Sequence, residues 1–176
     1  MKKIIFGVKL KNNYWKYEGR EIKTIADIPK SAIGFIYEIE DQNGKKYIGR
    51  KLIKTIRRPE VVKSTYDRLR KKGEPVTRTK NKKKSKKGKP VWRYKKVVET
   101  ESNWKTYTGS NDELNEKIKQ GEKITRRILK FCRNRKQMTY YEMKFQMCLG
   151  VIEENKEHFY NANISGKFFE KDFDDE

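Results

Sequence analysis

The stretch "GFIYEIEDQNGKKYIGRK", from Gly34 to Lys51, constrains the fold more than any other. Two strand-like runs flank Asn43-Gly44, a strong short-range signal for an antiparallel hairpin. Side chains alternate across a sheet, so Tyr37 and Tyr47 share a face only if the turn holds an odd number of residues. A two-residue Asn-Gly turn would put them on opposite faces. A three-residue loop, Gln42-Asn43-Gly44, with Gly44 left-handed, would pair Asp41 with Lys45, Ile39 with Tyr47 and Tyr37 with Gly49. The two tyrosines then become diagonal neighbours, and we expect that turn. Taken alone, tyrosines in a hairpin are ordinary cross-strand packing residues.

The chain has 176 residues, enough for one compact domain or a domain with a small appendage. With 34% hydrophobic and 39% charged residues its core is modest. A formal net charge of +21 opposes compaction and calls for a polyanion, of which nucleic acid is the first choice. An anionic membrane surface comes second, since no polybasic helix with a broad apolar face is evident. No apolar run approaches a membrane span, and that of "MKKIIFGVKL" is too short for a signal peptide. Cys132 and Cys148 sit in apolar contexts and read as small buried hydrophobes. The single histidine, His158, leaves no Cys/His set for zinc. A soluble, reducing, cytoplasmic setting is the expectation.

Along the chain, residues 3–18 suggest a hairpin with "KNN" at its turn, and "IADIPKSAIG" a connector. After the central hairpin, Pro59 and Glu60 suit the start of a helix that Gly73 would stop. Ser110 and Glu113 have capping-box spacing ahead of a helix ending near Gly121. "KITRRILKF" reads as a strand. Thr139 and Glu142 repeat the capping-box spacing in the strongest helix pattern, whose apolar stripe is Phe145, Cys148, Leu149 and Ile152. The fold class expected is α/β (α+β), a small three-stranded antiparallel-type sheet flanked by helices. The expected organisation is an N-terminal extension over 1–30, a domain over 31–170 and an acidic tail over 171–176.

Residues 77–90, "TRTKNKKKSKKGKP", are low complexity and read as a solvated insertion loop. From Arg68 to Lys96 the only acid is Glu74. Phosphate contact with counterion release is the functional reading, and a loop kept for solubility the plain one. Candidate DNA contacts are Arg50, Lys51, Arg58, Lys82, Lys83, Lys84, Lys86, Lys87 and Arg93. Trp92, Tyr94, Trp104 and Tyr107 are either core residues or surfaces on which bases stack.

"GFIY…KYIG" resembles the signature pair of the GIY-YIG nuclease family. Arg57 stands ten residues after Tyr47, "SNWKTYTGSNDEL" looks like a segment of the phage-type subgroup, and "ITRRILKFC" resembles its third strand. "TYYEMKFQ" places Glu142 where the family has a metal-binding glutamate, and "YNANISGKF" resembles the closing motif with its asparagine. The resemblance covers roughly 31–170 and looks most like the free-standing phage homing endonucleases. It implies a DNA endonuclease active inside an infected bacterial host, with Tyr37, Tyr47, Arg57, Glu142 and Asn161 as catalytic residues and double-stranded DNA as substrate. Asn163 is the alternative closing asparagine. "GFIY" has one residue more in its first triplet than the family signature, and no histidine lies near Arg57.

Phosphodiester hydrolysis needs a nucleophilic water, a base, and charge stabilisation on phosphate and leaving oxygen. Glu142 would hold one Mg2+ or Mn2+, which keeps most of its waters. Arg57 would bond the phosphate as a planar fork. Tyr47 would be the base and Tyr37 would orient water or phosphate. A free phenol has a pKa of about 10, so phenolate needs cations such as Lys45, Arg50 or Lys51 nearby. One such site must act twice or dimerise on DNA to break a duplex, and no protein partner is evident. The alternative function is a non-catalytic basic nucleic-acid-binding protein, which would need the lysines but not Glu142.

Overall fold

The computed structural model describes residues 13–84, 90–169 and 172. Among the described residues, the first elements are β1 (Trp15–Tyr17), β2 (Arg20–Ile22), β3 (Gly34–Asp41) and β4 (Lys46–Leu52). Next come β5 (Lys54–Arg57), β6 (Glu60–Val61), α1 (Lys63–Lys71), β7 (Val76–Lys84), β8 (Pro90–Lys96) and β9 (Val98–Glu101). Then follow α2 (Asp112–Lys119), β10 (Ile124–Cys132), α3 (Arg135–Cys148), β11 (Asn163–Ile164) and β12 (Phe168–Phe169). Two compact units result: Met1–Ile53 with Asn103–Glu176, and Lys54–Ser102.

The first unit is mixed α+β, built on a five-stranded sheet of order β2-β1-β10-β3-β4. This corrects the three-stranded expectation. Strands β10, β3 and β4 pair antiparallel, as do β1 and β2, and the two parts join by a parallel pairing of Lys16 on β1 with Arg127 on β10. Strands β1 and β2 form a hairpin that turns at Glu18-Gly19, both at positive φ; the hairpin expected over 3–18 lies mostly outside the described residues.

Strand β3 lies between β10 and β4 and is covered on both faces, so its sequence is nearly continuous in apolar residues. Phe35, Tyr37 and Ile39 pack with Trp15, Trp104, Leu114 and Ile118. On the opposite face Ile36 and Ile48 pack with Met138 of α3, Val151, Ile152, Phe159 and Ile164. Cys132 is buried there as expected, but Cys148 is exposed, contrary to expectation.

The β3–β4 turn is the three-residue one. Asp41 N donates to Lys45 O, Gly44 has φ 85°, and Tyr37 faces Gly49 while Ile39 faces Tyr47. The Asp41 carboxylate accepts from the backbone N–H of Asn43 (2.8 Å) and Lys45 (2.9 Å), fixing the loop. Tyr160 Oη donates to the same carboxylate at 2.5 Å, tying the C-terminal segment to the turn.

Neither expected capping box forms. Asn111 caps α2 by accepting from Leu114 N, and Asn134 caps α3 by accepting from Gln137 N at 2.9 Å. Asn is as good a cap as Ser or Thr, and these two lie where the backbone turns helical. Thr139 therefore sits in the second turn of α3, its hydroxyl on Arg135 O. Glu142 has no capping role.

The second unit holds a two-stranded ribbon, β5–β9, and a three-stranded sheet of order β6-β8-β7. Helix α1 packs on that sheet through Tyr66 and Tyr94, whose rings are 5.0 Å apart. Pro59 does not start a helix: its carbonyl accepts from Lys96 N, and Glu60–Val61 pair with β8. The described part of the expected 77–90 loop is strand, because its backbone pairs with β8 from Val76↔Lys96 to Lys84↔Pro90. Among the described residues, no helix is long and apolar enough to cross a membrane.

Candidate active site

Tyr37 and Tyr47 lie on one face, with ring centroids 6.2 Å apart. Tyr37 is only 1% exposed, wedged among Trp15 (5.2 Å), Tyr107 (5.9 Å) and Phe35 (6.3 Å). Its phenol crosses over Gly49, where a Cβ would stand 2.5 Å from the Tyr37 oxygen. Only glycine fits there. Tyr47 leans in the same way on Gly109, and its hydroxyl meets Ser110 Oγ at 2.8 Å. Ser110, expected as a helix cap, is thus a partner of Tyr47.

Burial first, then the Tyr107 and Tyr47 phenols and Glu142, holds the Tyr37 pKa well above the ordinary phenol value. Burial also raises that of Tyr47; hydrogen bonds with Ser110 pull it down, while Tyr107 and Glu142 push it up. The cations expected to favour phenolate have other tasks. Lys51, itself lowered by burial, donates to Asn103 Oδ1 at 2.6 Å and lies 3.7 Å from the Tyr107 ring centre. Arg50 turns to helix α3.

Glu142 is partly buried on α3, near enough for its charge to raise both phenols. Arg50 Nε lies 3.2 Å from Glu142 Oε2, and its Nη1 donates to Thr139 Oγ1, one turn earlier. Burial raises the Glu142 pKa, with Arg50 opposing. The spacing of Thr139 and Glu142 thus serves an arginine clamp. Among the described residues no group of three or more His, Cys, Asp or Glu is placed to hold a metal ion. Glu142 is a lone carboxylate donor, which suits a cation that keeps its waters.

Asn161 does not reach the tyrosines with its amide. Its Oδ1 accepts from Ile48 N (2.9 Å) and its Nδ2 donates to Ile48 O (2.8 Å), pairing the outer edge of β4 beside Tyr47. The alternative, Asn163, accepts from Gly166 N in a turn. Arg57 ends β5 in the second unit, exposed and opposite Val98. Arg58 follows it, and Arg93 lies 3.3 Å from Glu60. Lys82, Lys83 and Lys84 end β7 with side chains outside the described residues, as are Lys86 and Lys87 altogether.

Three participants escaped the sequence reading: the Arg50–Glu142 pair, Ser110 and Arg126. Arg126 is buried, donates to Lys105 O (2.9 Å) and Tyr107 O (3.2 Å), and so fixes the loop that presents Tyr107. Burial pulls its pKa down to about 10. Arg126 shares its strand face with Ile124 and Ile128, so parity carried a sign of burial that its charge concealed.

A family model described as "Putative endonuclease segE, GIY-YIG domain" matches residues 15–164, from the first residue of β1 to the last of β11. Neither the curated proteins nor the solved structures yielded a match. With the match spanning residues 15–164, most of the chain, the chain belongs to the SegE GIY-YIG family of nuclease domains.

Proposed function

We propose that the protein is a divalent-metal-dependent DNA endonuclease, serving as a homing endonuclease of the free-standing phage type. What supports this is the pairing of Tyr37 and Tyr47 on one face of β3–β4, with Glu142, held by Arg50, near enough for its charge to raise both phenols. Water attacks phosphorus, the P–O3′ bond breaks, and the 3′ oxygen takes a proton from solvent water and leaves as a hydroxyl. Tyr47, beside Ser110, holds the water and, in its phenolate form, takes its proton. Its raised pKa makes this role favour alkaline pH, so cleavage should quicken as pH rises and Tyr47→Phe should flatten that rise.

Glu142 is the residue that would hold Mg2+ or Mn2+. The bound ion would supply Lewis-acid stabilisation of the leaving oxygen. Arg50, released from Glu142, would bond the scissile phosphate as a planar fork, and Arg57 is kept as a proposed phosphate contact of the second unit. Tyr37, buried and neutral, orients Tyr47. Asn161 holds β4, and with it Tyr47, in register. The experiment is nicking of supercoiled plasmid with Mg2+, wild type against Glu142→Ala. We expect nicking by the wild type, stopped by EDTA and lost in the variant. Equal nicking by both, or none by the wild type, rejects the proposal.

A further inference from the structure

Lys54–Ser102 holds nineteen Lys or Arg against five Asp or Glu, so +14 of the chain's +21 falls in this one unit. Strands β7 and β8 form a long antiparallel ribbon within it. Lys80 faces Trp92 and Arg78 faces Tyr94, so these four side chains share a face. Tyr94 is covered by Tyr66 of α1. Trp92 is left outward, 38% exposed, with the Arg78 guanidinium 4.8 Å from its ring centre. The other two tryptophans, Trp15 and Trp104, are 0% exposed.

Lysines on an edge strand also deter unwanted strand pairing. That need does not explain an exposed indole beside them, which works against solubility. Cations beside an outward aromatic suit a polyanion whose grooves also offer apolar contacts, as duplex DNA does. The major groove of duplex DNA, about 12 Å wide, admits a two-stranded β-ribbon. We propose that the β7–β8 ribbon is a duplex-DNA-binding surface, with Arg78 and Lys80 on phosphates and Trp92 against base edges. The proposal rests on the nuclease reading only for the choice of DNA as the polyanion.

The test uses the full chain, a fluorescein-labelled 30-base-pair duplex and EDTA, so that no cleavage is involved. Because Trp92 alone is exposed, tryptophan emission reports on it. Saturating duplex should quench part of the emission and protect it from acrylamide, and Trp92→Phe should abolish both changes. Trp92→Ala should weaken binding roughly five-fold or more. A double Arg78→Ala, Lys80→Ala variant should lower the slope of log Kd against log salt by about two. Unchanged emission and acrylamide quenching at saturation overturn the proposal, as do variants that bind like the wild type. Tighter binding of the matching single strand overturns the duplex assignment. Failure here with Glu142-dependent nicking intact leaves the nuclease standing. Ribbon-dependent binding without any nicking leaves the ribbon standing and removes the nuclease.

Discussion

Gly49 shows how one residue places another. A methyl group there would stand 2.5 Å from the Tyr37 oxygen, and Tyr37, packed among Trp15, Phe35 and Tyr107, has no room to yield. Gly49→Ala should therefore destabilise by about 1–3 kcal/mol, the usual cost of overpacking. Thermal melts would show it as a Tm lower by several degrees, and an unchanged Tm would contradict the packing described. Asp41 is the second such residue. Burial pushes its carboxyl up, but the hydrogen bond from Tyr160, those from the Lys45 and Asn43 amides and the charge of Lys117 more than offset this. Its folded pKa is thus below the unfolded value of about 3.9. The stability this contributes is complete above the unfolded pKa and is lost as pH falls through the folded one. Urea unfolding at pH 6 and at pH 2.5 should show a smaller acid-induced loss in Asp41→Asn than in the wild type. An equal loss would mean that the carboxylate does not stabilise the turn.

Elements differ in how openly the sequence declares them. The register of β3 and β4 was legible because it is set locally, by Gly44 and by the parity of two tyrosines. The parallel β1–β10 pairing was not, because β1 has three residues and its partner is more than a hundred positions away. Strand β7 was hidden for another reason: a lysine run has no apolar alternation, and what pairs it to β8 is backbone. The capping boxes misled because Ser110 and Thr139 have the right spacing while Asn111 and Asn134 have the right backbone. Asn134→Ala should accordingly cost about 0.5–2 kcal/mol, read by urea unfolding. Thr139→Ala should cost less, since it loses no cap. The reverse order would put the start of α3 at Thr139. Arg57 is the site residue on which sequence and structure say least together, since it stands on β5 in the second unit.

At the scale of the whole molecule, the proposal divides the work between the two units. Met1–Ile53 with Asn103–Glu176 carries Tyr37, Tyr47, Arg50 and Glu142; Lys54–Ser102 carries two-thirds of the net charge. Binding and hydrolysis should therefore separate in mutants. Single-turnover cleavage of plasmid DNA at saturating protein, with duplex affinity measured alongside, tests this most directly. We expect Glu142→Gln and Tyr47→Phe each to slow cleavage at least a hundred-fold, in line with loss of a metal ligand or of a general base, with affinity changed less than about three-fold. Cleavage at the wild-type rate in either variant would contradict the assignment of the Tyr37–Tyr47–Glu142 cluster as the hydrolytic centre.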